Sequence, residues 1–232
     1  MKLLALDTSS EGCSAALLVD GDVIEKFEIA PRGHTRLLMP MVRELLAEQG
    51  LGPSDLDALA FACGPGSFTG VRIATGVIQG LAWGLSLPVV PVSSLEAVAF
   101  GAIEAMQISE GGGIAVAFDA RMSELYWGCF RNRSGLPELQ GEERVCPPSS
   151  VVLEADMTRW DGAGRGWAFR ADMPEEVSSK INSVDETLIP RASWVARLAA
   201  VKFDNGLAVP AEQAQPVYIR DEVAWKKLPG RS

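Results

Sequence analysis

Of 232 residues, 47% are hydrophobic and 22% charged, which supplies a sizeable core and excludes a disordered chain or a coiled-coil rod. Asp and Glu number 30 against 21 Lys and Arg, a formal charge of −9 that opposes autonomous binding to a phosphate backbone. Any role on nucleic acid is therefore expected to be indirect.

The first apolar run stops at Asp7, too soon for a secretory signal. Residues 3–8, 13–19 and 23–29 are apolar or alternating and are separated by Ser9-Ser10-Glu11-Gly12 and Asp20-Gly21-Asp22, so they predict three antiparallel strands. Over residues 35–48, Leu37, Leu38, Met41, Val42, Leu45 and Leu46 recur at helical spacing opposite Arg36, Arg43, Glu44 and Glu48, and Gly50 suits the end of that helix. A strand at 59–63 is followed by a helix at 69–85, a strand at 89–92 and a helix at 94–106 that Ser93 or Ser94 would cap. Residues 71–92 carry almost no charge, but Arg72, Gln79, Ser86, Pro88 and Pro91 interrupt any membrane span.

This order mixes a meander with parallel crossovers, as in one lobe of the actin-like ATPase fold. The polar, glycine-rich residues 108–113 set the expected boundary between a first lobe, 1–107, and a second, 108–232, whose final segment is a candidate to pack back on the first. Strands are expected at 114–119 and 125–131, with Asp119-Ala120-Arg121 echoing Asp7-Thr8-Ser9, so the second lobe reads as a partly eroded duplicate. Residues 133–170 carry no clear period, while 193–203 predict a helix ended by Asn205-Gly206.

The cysteines, Cys13, Cys63, Cys129 and Cys146, form no closely spaced pair, which fits reduced thiols in a cytoplasm. His34 is the single histidine, so one chain cannot build a two-histidine metal site, and a Ser-His-Asp triad would have to use it. It is expected to be an exposed residue at the start of the first helix rather than a base. Cys63 is read as a small buried hydrophobe.

Gly64-Pro65-Gly66-Ser67-Phe68-Thr69-Gly70-Val71-Arg72 is the most distinctive segment. It lacks the Gly-Lys-Ser/Thr of a Walker loop, and Gly70 comes one place late for Gly-x-Gly-x-x-Gly. Two readings follow: a turn whose glycines permit close backbone approach, which is favoured, or an anion site at the N-terminus of the next helix with Ser67 or Thr69 as cap. Asp7 is read first as the head of an Asx turn and second as a magnesium or phosphate contact. The loop Gly162-Ala163-Gly164-Arg165-Gly166 is read as flexible, and Pro216-Val217-Tyr218-Ile219-Arg220 as an anchoring arm or a terminal strand.

The helix at 69–85 places Gly76, Gly80 and Gly84 four apart, each costing about 0.8–1 kcal/mol relative to Ala, so another backbone is expected close by. Its remaining residues include Ile73, Val77 and Leu81 and leave only Arg72, Thr75 and Gln79 as a polar stripe, which implies burial on two sides. With Leu38, Met41, Val42 and Leu45 of the first helix they form the candidate partner surface, a pair of helices able to build a four-helix bundle. Cover from within the same chain is an equal alternative.

Leu6-Asp7-Thr8-Ser9, His34-Thr35-Arg36-Leu37-Leu38-Met39-Pro40, the glycine segment through Arg72, and Pro216 through Arg220 together resemble the bacterial TsaB (YeaZ) family over nearly the whole chain. The resemblance implies an actin-like two-lobed fold and a role beside the paralogue TsaD, which transfers a threonylcarbamoyl group to the adenosine next to the anticodon of tRNA. The histidine pair that TsaD uses for metal falls at or near Ser94 and Val98 here, which implies a chain without that metal chemistry, without a cofactor and without catalytic residues. It further implies a heterodimer with TsaD, joined by the ATPase TsaE, a homodimer when alone, and contact with tRNA only through the complex, in the cytoplasm and away from membranes. An independent actin-like ATPase or phosphotransferase, and a metallo-glycopeptidase, are the alternatives.

Overall fold

A computed structural model describes residues 1–157 and 159–220; residues 221–232, assigned above to the second lobe, lie outside the described residues. The first lobe is a five-stranded sheet of β1 (Lys2–Asp7), β2 (Gly12–Val19), β3 (Asp22–Ile29), β4 (Ala58–Gly64) and β5 (Val89–Ser93), in the order β3-β2-β1-β4-β5. The meander β1-β2-β3 is antiparallel, and β4 and β5 join it in parallel through crossovers containing α1 (His34–Glu48) and α2 (Phe68–Leu85). The second lobe repeats the plan. β6 (Gly113–Arg121), β7 (Glu124–Arg133), β8 (Leu136–Cys146), β9 (Trp160–Ala163) and β10 (Ile181–Asp185) form a second sheet in the order β10-β9-β6-β7-β8. Strand directions match as well: β6-β7-β8 is antiparallel, while β9 and β10 are parallel. These are the two mixed sheets of an actin-like fold.

The alternation of β1 divides the first core. Leu4 and Leu6 face α1 and α2, whereas Leu3 and Ala5 face α5 (Ala192–Asp204), which arrives late in the chain. The helix after each sheet crosses to the other lobe: α3 (Ser94–Ala105), which follows β5, packs on β6, β7 and β8, and α5, which follows β10, packs on β1 and β2. At the α3–α5 crossing a Cβ on Gly101 would collide with the Trp194 ring. The erosion of the second lobe is visible in its crossovers: among the described residues no α-helix corresponds to α1, and α2 is replaced by a 3-10 segment, Arg165–Asp172, and the short α4 (Glu175–Ser178).

Residues 133–170, featureless in sequence, hold β8 and β9. β8 is an edge strand whose side chains are mostly half-exposed, so it shows no clean alternation, and β9 has only four residues. Three fully buried tryptophans, Trp127, Trp160 and Trp167, fill the core beneath them. Among the described residues no helix is long and apolar enough to cross a membrane.

Candidate functional site

The glycine segment closes on the end of β1. A Cβ on Gly66 would collide with the Ser9 carbonyl oxygen, and one on Gly70 with that of Thr8. Two hydrogen bonds fix the approach, the Ser67 N–H donating to Ser9 O at 2.7 Å and Thr8 Oγ1 to Gly70 O at 2.7 Å, and within the segment the Gly70 N–H donates to Ser67 Oγ at 3.2 Å. Ser67 is thus the helix cap, and Thr69 lies exposed inside α2. The N–H groups of Ser67 and Gly70, which an anion site would present outward, are used within the chain. Gly64, Gly66 and Gly70 serve close approach.

Asp7 heads the Asx turn. Its Oδ1 accepts from the Ser9 N–H at 3.1 Å and from Ser9 Oγ at 2.6 Å, while Oδ2 is buried with no partner among the described residues. Complete burial raises its pKa to about 6; the Ser9 bonds oppose the rise and the nearby Glu25 charge adds to it. Asp119 repeats the motif in the second lobe, its Oδ1 accepting from the Arg121 N–H at 2.8 Å.

The carboxyl-terminal segment is an arm across the lobes. The Val217 N–H donates to Cys63 O at 2.8 Å, beside Gly64, which sits at φ +109° with Val217 O only 2.7 Å from where a Cβ would stand. Arg72 Nε donates to the Tyr218 hydroxyl at 2.8 Å, and its guanidinium lies 3.8 Å over the Phe68 ring, with the Phe68 and Tyr218 rings 5.4 Å apart. Arg220 then reaches the second lobe, donating to Ala120 O at 3.1 Å and pairing with Glu124. In a second tie Arg165 pairs with Glu11 at 2.5 Å. Each tie joins the turn after the fourth strand of one lobe to the first hairpin of the other.

Several expectations are corrected here. His34 is buried, because its ring fills the gap beneath the β1–β2 turn: Nε2 lies 3.0 Å from Ser10 O and 3.2 Å from Gly12 O. Two acceptors at one nitrogen require the proton there. The Gly162–Gly166 loop is packed rather than flexible, with Cβ positions on Gly164 and Gly166 within 2.7 Å of Ala117. Within the polar stripe of α2, Arg72 is exposed, Thr75 is buried and donates back to Val71 O, and Gln79 donates to Ala214 O, the last two bonds both at 2.8 Å.

The candidate partner surface divides. Leu38, Met41, Val42 and Leu45 are at most 8% exposed and belong to the core under the first sheet, so a docking protein cannot reach them. Their spacing is the ordinary inward stripe of an amphipathic helix, and the outward side of α1 carries Arg36, Arg43, Glu44 and Glu48. On α2, Ile73, Val77 and Leu81 are half-buried, and Gly76, Gly80 and Gly84 are exposed with open space at each Cβ position. Phe68 and Trp83, at opposite ends of this ridge, are 56% and 73% exposed. Among the described residues no backbone fills the glycine row.

Sequence reasoning missed Glu143. Ser93, which caps α3 by accepting from the Leu95 and Glu96 N–H groups, donates its own proton to Glu143 of β8. Burial raises the Glu143 pKa to about 7 despite that bond, Glu96 adds to the rise and Lys202 opposes it. Lys202 in turn bonds Glu96 at 2.8 Å and ties α5 to α3. Glu143 lies in the stretch without a period, so only its acidity was readable. Ser94 and Val98 are fully buried, and among the described residues no group of three or more His, Cys, Asp or Glu is placed to hold a metal ion.

The family model described as TsaD, tRNA N6-adenosine threonylcarbamoyltransferase, matches residues 27–154. The tRNA threonylcarbamoyladenosine biosynthesis protein TsaB of Escherichia coli K12 is 41% identical over the full length of both chains. That of Haemophilus influenzae is 40% identical, covering 100% of this chain and 98% of its own. YeaZ from Pseudomonas aeruginosa superposes with a TM-score of 0.88 at 46% identity, over 94% of this chain and 99% of that one. Full-length identity with the curated proteins and superposition of both lobes on a solved YeaZ agree with the clamped glycine segment: the chain belongs to the TsaB (YeaZ) family.

Proposed function

We propose that this chain works in threonylcarbamoyladenosine formation on tRNA as a non-catalytic partner of the TsaD transferase, in the cytoplasm, with TsaE joining the pair and tRNA held by the complex. The observation that carries this reading is the outer face of α2, a row of exposed glycines flanked by half-buried Ile73, Val77 and Leu81 and ended by exposed Phe68 and Trp83. Three exposed interior glycines weaken a helix by roughly 2–3 kcal/mol in sum, a cost that a closely approaching helix offsets. In place of the two-helix surface, the docking face is this single ridge. The glycine turn supports an accessory role: its Ser67 and Gly70 amides are used internally and the Val217 carbonyl lies against Gly64.

The test is reconstitution of tRNA modification from TsaD, TsaE and the adenylate-forming enzyme, with and without this chain. Modification should require the chain, while the chain alone shows no turnover. Val77→Arg and Gly80→Leu should each abolish binding to TsaD, measured by calorimetry, with the fold retained in circular dichroism. Unchanged modification by both variants would refute the docking face.

A further inference from the structure

The arm of residues 214–220 touches both lobes. Gln79 donates to Ala214 O and Arg72 to the Tyr218 hydroxyl, so the arm follows α2. These two anchors are about 10 Å apart along the helix, and four extended residues span about 13 Å. Tyr218 packs against Phe68 at the first end of the exposed α2 row, and the two residues are 44% and 56% exposed. Two residues later the Arg220 side chain, only 19% exposed, reaches the β6–β7 turn. Resting on the reading that the α2 face receives TsaD, we infer that the arm couples that face to the second lobe: docking on α2 holds the β6–β7 turn in its strained form, and the Arg220 tie to that turn sets how tightly the partner docks.

The turn is the element that can yield. Arg121, Met122 and Ser123 stand at φ +66°, +56° and +60°, three successive left-handed residues of which none is glycine. A run of this kind persists only where its surroundings hold it, and a tight hairpin of this hand is ordinarily built from Asn-Gly. Arg220 supplies the hold. Its Nη2 donates to Ala120 O at 3.1 Å and pairs with Glu124, and its Nη1 lies 3.7 Å from Met122 Sδ. One guanidinium thus bridges the residues on both sides of the run and its middle, and a released arm lets the turn relax. A partner that covers Phe68 and Tyr218 meets the arm only in its docked position, so it favours that state alone. Linkage then requires that docking strengthen the Arg220 tie by the same factor by which the tie strengthens docking.

Hydrogen exchange read by mass spectrometry over residues 119–125, with the full chain free and bound to TsaD, tests the coupling beside calorimetry of the same pairs. In the parent, docking should slow exchange there at least about fivefold. Arg220→Ala should remove that slowing and raise the dissociation constant for TsaD by a similar factor, at least about fivefold. Arg220→Glu and Glu124→Arg each set like charges face to face and should behave as Arg220→Ala does. The chain carrying both should recover most of the slowing and of the affinity, which a general loss of stability would not allow. Met122→Asn with Ser123→Gly relieves the left-handed run, so the free chain should already exchange slowly over 119–125 and docking should add little. Thermal unfolding checks that each variant is folded. If docking slows 119–125 as much in Arg220→Ala as in the parent, the partner holds the second lobe directly and the arm is not the link. If the parent turn does not respond while Val77→Arg still abolishes binding, the coupling is wrong and the α2 face stands. If Val77→Arg binds TsaD like the parent, the docking face is wrong and the coupling falls with it.

Discussion

Asp7 is a carboxylic acid whose cost is paid through pH. Its pKa rises from 3.8 to about 6 on folding, so between those values the native chain holds a proton that the unfolded chain has lost. Stability therefore falls as pH rises through that window, and the penalty is complete above about pH 6. A shift of this size corresponds to about 3 kcal/mol. Asp7→Asn, which keeps an oxygen acceptor for Ser9, should flatten the midpoint of thermal unfolding between pH 4 and 6 relative to the parent. Equal slopes for the two chains would mean that Asp7 ionises freely. Glu143 adds a second decline of the same sign, from 4.5 to about 7, which the Asp7 variant leaves in place. At this scale the sequence identified Asp7 and its turn through Asp-x-Ser. It could not reveal that His34 is buried, because that depends on two carbonyls more than twenty positions away in the chain.

Helix α2 shows how one residue type serves opposite ends in a single element. Gly70 touches the Thr8 carbonyl, whereas Gly80 faces open space. Gly70→Ala should cost about 2–4 kcal/mol through overpacking against backbone that cannot yield. Gly80→Ala should stabilise the isolated chain by about 0.8–1 kcal/mol, as expected for an exposed helical position. Denaturant unfolding of both variants checks the contrast, and two similar losses would show that Gly80 is packed. Spacing revealed the α2 ridge but overestimated α1, because Leu38, Met41, Val42 and Leu45 follow the same period whether the stripe meets a sheet or a partner. The partners of the polar stripe were not legible either: Ala214 and Tyr218, which receive Gln79 and Arg72, lie some 140 residues downstream.

Across the whole molecule, two lobes of one topology exchange helices and are tied by two arginine–glutamate pairs. The ties differ in burial: the Arg165 side chain is 60% exposed and that of Arg220 is 19% exposed. Arg165→Ala should therefore cost less than about 1 kcal/mol, as exposed ion pairs do. Arg220→Ala should cost about 1–3 kcal/mol, because it leaves Ala120 O and Glu124 without their donor. Chemical denaturation ranks the two, and the reverse order would show that the arm lies loosely on the second lobe.

By itself the sequence determined the first lobe, the glycine turn and the family, since local periodicity, turn chemistry and contiguous motifs carry that information within a few residues. Only the tertiary structure decided which lobe each helix serves, how β8 and β9 complete the second sheet, and which apolar stripe is core and which is surface. Those outcomes depend on contacts between residues far apart in the chain, and the pattern along a helix records that one side is apolar without recording what meets it.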